Sequence, residues 1–214
     1  MDVRSLEQEK QLVERAQRDP EAFGLLYEQN YDAIFNYVLR RTGHVETAQD
    51  IVSETFFVAL RSLGKFKWQG VPFSAWLYRI AINEMAGYFR RARVGTVSLE
   101  AMHEEGFEPP SDSDVEREAL AWQEEIDRHL EYHAVRQAVD ALPEHYQEVV
   151  ALRFFAGKQI ADIGVVLGKP QGTVKSLLHR GLEKLRQTLT QARYRATFGE
   201  TSTYVEKGRG AHGQ

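Results

Sequence analysis

Apolar residues recur at helical spacing along most of the chain, and no stretch shows the strict alternation of a half-buried strand. The run 47–63 is the clearest example, because its apolar face repeats at i, i+3, i+4 and i+7. That face contains Ala48, Ile51, Val52, Thr55, Phe56, Ala59, Leu60 and Leu63. Similar stripes predict helices over 20–41 and 74–93, with Gly43 ending the earlier one, Thr47 as an N-cap of 47–63 and Ser74 as an N-cap of 74–93. The pattern predicts an all-α fold.

A change in composition divides the chain into two helical units. After Arg93 the periodicity fades, and Gly95, Gly106, Pro109 and Pro110 stand among Ser, Asp and Glu residues. A second compact helical pattern runs from about 134 to 190, and the sequence beyond it is polar and contains several Gly residues. We therefore predict two small helical domains at 1–95 and 134–192, joined by a flexible acidic linker at 96–133 and followed by a flexible tail at 193–214.

The segment 159–189 has the turn chemistry of a helix-turn-helix motif. A short helix is predicted before Gly168, which can adopt a positive φ and end it, and Pro170 suits the first position of the next helix. The apolar positions of the two helices are Ile160, Ile163, Val166 and Leu167, then Val174, Leu178, Leu182, Leu185 and Leu189. The preceding segment 142–158 is expected to support the motif, with Pro143 starting a helix and Phe154 and Phe155 in the core.

The second helix of this motif has a polar face opposite its leucines. This face contains Thr173, Lys175, Ser176, His179 and Arg180. Such side chains donate hydrogen bonds to phosphates and base edges, so the face is a candidate for reading a DNA major groove. The alternative is an ordinary helical hairpin with a basic, solvated side.

Charge and composition narrow the function further. The net charge of −4 conceals an acidic segment at 104–131, with eleven Asp and Glu against two Arg, and basic segments at 79–93 and 169–195. Basic segments of this kind indicate nucleic-acid binding. The sequence has no cysteine, which excludes disulfides, thiolate metal sites and cysteine nucleophiles. It also has no GxxxxGK[ST] loop and no clustered set of metal ligands, so we expect no cofactor and no metal site. Without a long apolar run or a signal peptide, we also expect no membrane insertion and a cytoplasmic location.

The stretch KFKWQGVPFSAWLY, residues 65–78, concentrates aromatic side chains beside lysines. Rings next to cations favour contact with unpaired bases, because every base offers a π-face for stacking. The alternative is that the rings are core residues. We favour that alternative for Trp76, whereas the residues alone leave Phe66 and Trp68 open.

The order and spacing of four stretches resemble the extracytoplasmic-function (ECF) group of bacterial sigma factors. The stretches are AQDIVSETFFVAL (48–60), FSAWLYRIAINEMAGYFRRAR (73–93), LPEHYQEVVALRFFAG (142–157) and IADIGVVLGKPQGTVKSLLHRGLEKLR (160–186). The resemblance implies a region 2 helical bundle at 1–95, which docks on core RNA polymerase and opens the −10 promoter element. It also implies a region 4 helix-turn-helix at 134–192, which reads the −35 element.

The resemblance assigns roles to particular residues. Asp50, Glu54 and Phe57, which share one helix face, would contact the clamp helices of the polymerase. The −10 contacts would come from Phe66, Trp68, Arg79, Asn83, Arg90, Arg91 and Arg93, and the −35 contacts from the polar face of the second motif helix. The expected partners are core RNA polymerase, through its clamp helices and flap, promoter DNA and an anti-sigma factor. The competing hypotheses are a helix-turn-helix repressor or activator that binds duplex DNA as a dimer, and a sigma mimic that sequesters an anti-sigma factor.

Overall fold

The computed structural model describes residues 3–95 and 133–198, and all regular secondary structure in these ranges is helical. The helices are α1 (Val3–Ala16), α2 (Pro20–Thr42), α3 (Val45–Leu63), α4 (Phe73–Gly95), α5 (described over 133–140), α6 (Glu144–Phe154), α7 (Ile160–Leu167) and α8 (Gln171–Phe198). The all-α prediction is confirmed. Almost all of the predicted linker, and the tail beyond 198, lie outside the described residues, whereas α8 continues past the predicted domain boundary at 192. No helix in the described ranges is both long enough and apolar enough to span a membrane.

Of the three residues predicted to end or cap the helices of the N-terminal domain, one is confirmed and two are wrong. Gly43 ends α2 as predicted, with φ 74° and its N–H donating to the Leu39 carbonyl at 2.7 Å. The predicted cap at Thr47 is wrong, because the His44 carbonyl already accepts from the Ala48 N–H at 2.9 Å and α3 begins at Val45. The predicted N-cap at Ser74 is also wrong, because Ser74 lies inside α4. α4 begins one residue earlier, at Phe73.

α1–α4 form the N-terminal domain around a core of aliphatic and aromatic side chains. The central members are Leu26, Ile34, Tyr37, Val38, Val52, Phe56, Phe73, Leu77 and Tyr78. The rings of Tyr37 and Tyr78 meet edge to face with centroids 5.2 Å apart. Burying each such side chain contributes about 1.5–3 kcal/mol, so this domain has enough apolar burial to fix the bundle. α1 has no counterpart in the predictions, although its Val13 and Ala16 are buried in this core.

Two apolar residues predicted to be buried are exposed. Leu60 was placed on the apolar face of 47–63 but remains 48% exposed, because it lies one helical step beyond the face that contacts α2 and α4. Phe154 remains 54% exposed. α6 crosses the middle of its domain and is buried around its central turn, whereas Phe154, its last residue, lies at the rim.

α5–α8 form the C-terminal domain. Its core combines Val139, Leu142, Val149, Val150, Leu152, Ile163, Val166 and Val174. Of the apolar positions predicted in the second motif helix, Val174 is fully buried, whereas Leu178, Leu182, Leu185 and Leu189 are half-buried. α8 crosses α6 closely at Gly181, where an added Cβ would lie 3.0 Å from Val150 Cγ2.

The two domains contact each other directly. α4 packs on α7, and the end of α2 packs on α6. The apolar core is continuous from one domain into the other.

Candidate nucleic-acid and polymerase interfaces

The helix-turn-helix forms as predicted. Gly168 ends α7 with φ 64°, and the Lys169 N–H donates to the Gly164 carbonyl at 2.9 Å, which closes the turn. Pro170 precedes α8 rather than occupying its first position, since its carbonyl accepts from the Val174 N–H at 3.1 Å. The left-handed glycine allows α8 to leave α7 at a sharp angle.

The predicted recognition face of α8 is open to solvent. Its five members, Thr173, Lys175, Ser176, His179 and Arg180, are all exposed. They lie within the first three turns of the helix, and Val174 anchors the opposite side in the core. Hydroxyl, imidazole, ammonium and guanidinium groups thus form one donor-rich surface near a helix N-terminus, which suits contact with phosphates and base edges.

α4 presents a second basic surface. Arg79, Asn83 and Arg90 recur at i, i+4 and i+11, which places them on one side of the helix, and all three are exposed. Arg91 is exposed on an adjacent side, and the side chain of Arg93 lies outside the described residues. Arg79 is already engaged. Its Nε donates to the Val166 carbonyl at 2.9 Å.

The aromatic stretch before α4 divides into core rings and surface rings. Phe73 and Tyr78 are buried, and burial raises the pKa of Tyr78 to about 12. Trp76 is half-buried and packs on the core, in agreement with the interpretation favoured for it. Phe66 and Trp68 are also half-buried, and the Phe66 ring lies 4.6 Å from the Trp76 ring, centroid to centroid.

This stretch contacts α1 and the turn directly after it, a connection that the sequence pattern did not reveal. Gln17 Nε2 donates to the carbonyls of Phe66 at 2.8 Å and Leu63 at 3.1 Å. Glu9 accepts a hydrogen bond from the Phe73 backbone N–H at the start of α4, which lowers its pKa, but burial has the larger effect and raises it. Glu9 of α1 and Gln17, in the turn directly after α1, therefore help to hold the two ends of the loop.

α3 exposes a mixed acidic and apolar face. Asp50 and Glu54 are exposed at i and i+4, and Phe57 is 51% exposed beside them. The guanidinium of Arg61 lies 5.8 Å from the Phe57 ring centroid. Exposed Leu60, three positions after Phe57, extends the apolar part of this face. Two large apolar groups next to carboxylates suit a protein partner better than water.

No group of three or more metal-ligating side chains occurs within the described ranges. Three histidines lie in or next to the acidic segment, where the sequence favours solvated side chains over a metal site. Of these, His103 and His129 lie outside the described ranges, and His133 is the first residue described after the gap.

Comparison with known proteins identifies the family of this chain. The model of Sigma-70 region 2 matches residues 26–94, and that of Sigma-70 region 4 matches residues 132–185. RNA polymerase sigma-H factor of Pseudomonas aeruginosa is 35% identical over 189 residues, which cover 86% of this chain and 94% of that protein. The chain belongs to the sigma-70 family.

Other relatives place it in the ECF group. The ECF RNA polymerase sigma factor BldN of Streptomyces coelicolor is 38% identical over 180 residues, which cover 84% of this chain and 65% of that protein. The solved structure of CnrH in complex with the cytosolic domain of CnrY has the same fold, with a TM-score of 0.59 and 22% identity, and the match covers 86% of this chain and 97% of that one. Sigma factors of this family direct promoter-specific transcription initiation by RNA polymerase, and this chain has that function.

Proposed function

We propose that this sigma factor uses three different surfaces to contact polymerase and the two promoter elements. α3 docks on core RNA polymerase, α4 with the preceding aromatic loop engages the −10 element, and α8 reads the −35 element. The observation that carries the proposal is the exposed donor face of α8 behind a glycine-closed turn. The proposed domain extents are 1–95 and 134–192, with 96–133 as linker and 193–214 as tail.

For the −35 element, α8 would enter the major groove with its N-terminal turns first. Lys175, Ser176, His179 and Arg180 would approach bases or phosphates, and Thr173 would contact the backbone near the helix start. Their common exposure supports this role, because a groove contact needs side chains that are not already used in the domain. Each bidentate base contact contributes about 1–3 kcal/mol of discrimination.

For the −10 element, the side of α4 that carries Arg79, Asn83 and Arg90 would follow the DNA strand. Arg79 and Asn83 would contact bases, and Arg90, Arg91 and Arg93 would hold phosphates. Phe66 and Trp68 would stack on a base extruded from the duplex, since stacking of about 1–3 kcal/mol per base offsets part of the cost of unpairing. Their half-burial supports this role, because each ring is held by its neighbours while part of its surface remains free.

For polymerase, Asp50 and Glu54 would orient the contact with a basic partner and Phe57 would anchor it. We add Leu60 to these polymerase-contacting residues because the structure shows that it is exposed near Phe57. An apolar centre flanked by charges is the usual anatomy of a protein interface. We assign this face to the clamp helices, and the C-terminal domain to the flap.

Three broader features belong to the same proposal. The protein would act in the cytoplasm and would catalyse no reaction itself, since chain synthesis belongs to the polymerase. An anti-sigma factor would be a further partner. A solved structure of the same fold, with a TM-score of 0.51 and 21% identity, is a complex of the sigma factor RpoE with the anti-sigma factor NepR from Bartonella quintana.

Reconstitution tests the proposal. The purified chain is combined with core RNA polymerase and transcribes a genomic promoter library, and we expect selective transcripts that require the chain. Core binding without transcripts would favour a sigma mimic. Duplex binding without core binding would favour a repressor.

A further inference from the structure

The loop between α3 and α4, residues 64–72, is held at its first end by a side chain that follows α1. Gln17 Nε2 donates to the Leu63 carbonyl at 3.1 Å and to the Phe66 carbonyl at 2.8 Å. The last carbonyls of a helix have no donor within the helix, so an amide from outside can satisfy them. The Leu63 carbonyl also accepts from the Phe66 N–H at 3.0 Å, which begins the loop as a tight turn. Gln17 therefore fixes the point at which the chain leaves α3.

Glu9 of α1 contacts the other end of the loop. Its carboxylate accepts a hydrogen bond from the Phe73 backbone N–H, the first N–H of α4. Helix N-termini carry unpaired N–H groups and a partial positive charge, so a carboxylate is a suitable acceptor there. The second carboxylate oxygen of Glu9, Oε2, is buried and has no hydrogen-bond partner in the described part of the chain. Because an unpartnered buried oxygen lowers stability, the placement of Glu9 indicates a role in positioning α4 rather than in stabilising the bundle.

Between these two ends, the loop is anchored by aromatic rings. The Phe66 ring lies 4.6 Å from the Trp76 ring and 5.8 Å from the Phe73 ring, centroid to centroid. Gly70 has φ 73°, a left-handed conformation that redirects the chain before α4. Trp68 lies between these points and is half-buried. The orientation of Phe66 and Trp68 therefore depends on where the two loop ends are fixed.

Stacking on an extruded base requires rings that already lie in the right place. A loop that becomes ordered only during binding loses conformational entropy, and its affinity falls accordingly. On the basis of the −10 role proposed above for Phe66 and Trp68, we infer that Gln17 and Glu9 are positioning residues, which set the loop 64–72 for base capture without contacting DNA themselves.

This role gives α1 a function beyond packing. Val13 and Ala16 are buried and already attach the helix to the core of the N-terminal domain. The family model of region 2 begins at residue 26, after α1. Substitution of Gln17 or Glu9 should therefore leave the bundle and the polymerase-contacting face of α3 in place and affect the loop.

Hydrogen exchange on the full chain tests the positioning step, independently of DNA. Gln17→Ala, and more strongly the combined Glu9→Ala and Gln17→Ala variant, should speed amide exchange several-fold in peptides covering 64–72, whereas exchange in the buried centre of α4 should not change. Gln11→Ala, at another exposed glutamine on α1, is the matched control and should behave as the wild type. Denaturant unfolding checks that each variant remains folded. Unchanged loop exchange in the combined variant would overturn the inference.

Binding of a single-stranded −10 oligonucleotide to the holoenzyme tests the consequence for base capture. The intact oligonucleotide is compared with a series in which one base at a time is replaced by an abasic site. Gln17→Ala should weaken binding of the intact oligonucleotide by roughly 2- to 12-fold, which corresponds to the loss of one hydrogen bond. The same variant should bind as the wild type does when the captured base is absent. A loss of equal size on every oligonucleotide would show a general structural defect and would overturn the positioning role.

Conservative variants separate hydrogen bonding from shape. Glu9→Gln keeps an acceptor oxygen for the Phe73 N–H and should bind the intact oligonucleotide about as tightly as the wild type, whereas Glu9→Ala should bind more weakly. Gln17→Glu has nearly the same shape as the wild type but cannot donate to the two carbonyls, so it should behave as Gln17→Ala does. Wild-type binding by Gln17→Glu, or equal binding by the two Glu9 variants, would contradict the assigned role of that residue.

Phe66→Ala and Trp68→Ala distinguish failure of this inference from failure of the −10 role. The abasic position at which these variants lose their effect identifies the captured base. If the ring variants lose affinity for the intact oligonucleotide while Gln17→Ala and Glu9→Ala do not, the rings capture a base and the positioning roles are wrong. If neither ring variant loses affinity, the base-capture role itself is wrong, and the positioning function is overturned with it.

Discussion

Arg79 and Val166 lie 87 positions apart in the sequence, yet the Nε of Arg79 donates to the Val166 carbonyl oxygen at 2.9 Å. The Arg79 guanidinium, which we propose contacts DNA, therefore donates to a carbonyl of the C-terminal domain in this structure. Substitutions of Arg79 therefore combine two effects, loss of a proposed DNA contact and loss of a domain contact. Its neighbour Asn83 offers a cleaner test of the α4 surface.

Asn83→Ala should weaken promoter opening while leaving core binding unchanged. Asn83 is exposed one turn after Arg79, and loss of a base contact costs roughly 1–3 kcal/mol. Permanganate reactivity of −10 thymines in the holoenzyme complex measures the effect. Asn36→Ala, at an exposed Asn on α2, is the matched control. Equal opening by both variants would contradict the assignment.

Arg180→Ala should weaken recognition of the −35 element by roughly 1–3 kcal/mol if the side chain reads a base. Holoenzyme affinity is compared on the preferred promoter and on single-base variants of its −35 element. Arg186→Ala provides a control of the same chemistry and exposure on another side of α8. A uniform loss on every sequence would instead identify Arg180 as a phosphate contact.

Asp50→Arg should abolish binding to core polymerase while the fold survives, because an exposed carboxylate proposed to face a basic partner becomes a cation. Titration with labelled core measures affinity, and circular dichroism measures helicity. Glu14→Arg on α1 makes the same charge change on another exposed surface. Core affinity that survives Asp50→Arg would remove the clamp assignment.

Phe56 and Phe57 are adjacent, and their truncation should have opposite consequences. Phe56 is 4% exposed, so Phe56→Ala should lower the free energy of unfolding by about 3–5 kcal/mol. Phe57 is 51% exposed, so Phe57→Ala should leave stability nearly unchanged and weaken core binding. Denaturant unfolding and core titration on both variants give the comparison. Normal core affinity of Phe57→Ala would show that its exposure serves another purpose.

Glu148→Gln should stabilise the protein at neutral pH. Burial raises the pKa of Glu148, with a further contribution from Glu144, so its ionised form carries a penalty in the folded state. That penalty applies above the raised pKa and disappears as the pH falls through it towards the ordinary carboxyl range. Thermal unfolding against pH should therefore show a higher Tm for the variant near neutrality and convergence with the wild type in acid. Parallel curves would mean that Glu148 carries no such penalty.

Local geometry explains which features the sequence predicted. Gly43 and Gly168 were recognised as helix ends because a left-handed residue after an apolar stripe is a property of a few neighbouring positions. The family was identified from the order and spacing of four stretches along the chain, which the sequence shows without any tertiary contact. The exposure of Leu60 and Phe154 depends instead on where other helices stop covering them, which periodicity does not encode.

Contacts between residues far apart in the sequence could not be predicted from the periodicity of apolar residues. The first residues of the sequence are mostly polar, and their structural role is visible only in tertiary contacts. Gln17, directly after α1, donates to the carbonyls of Leu63 and Phe66. The engagement of Arg79 by α7 likewise depends on how two domains meet. Candidate site residues could be chosen by residue type and helix face. Only the tertiary structure shows whether each side chain is free to contact DNA or polymerase, or is already bound within the protein.

Gly181 lies on the side of α8 that faces α6, away from the proposed DNA contacts, and an added Cβ there would lie 3.0 Å from Val150 Cγ2 and 3.4 Å from Tyr146 Cβ. The absence of a side chain at Gly181 allows this close approach of α8 to α6. We expect Gly181→Ala to displace α8 or its neighbours on α6 by a few tenths of an ångström. If α8 reads the −35 element as proposed, this substitution should change promoter preference although no residue of the proposed DNA-contacting face is altered.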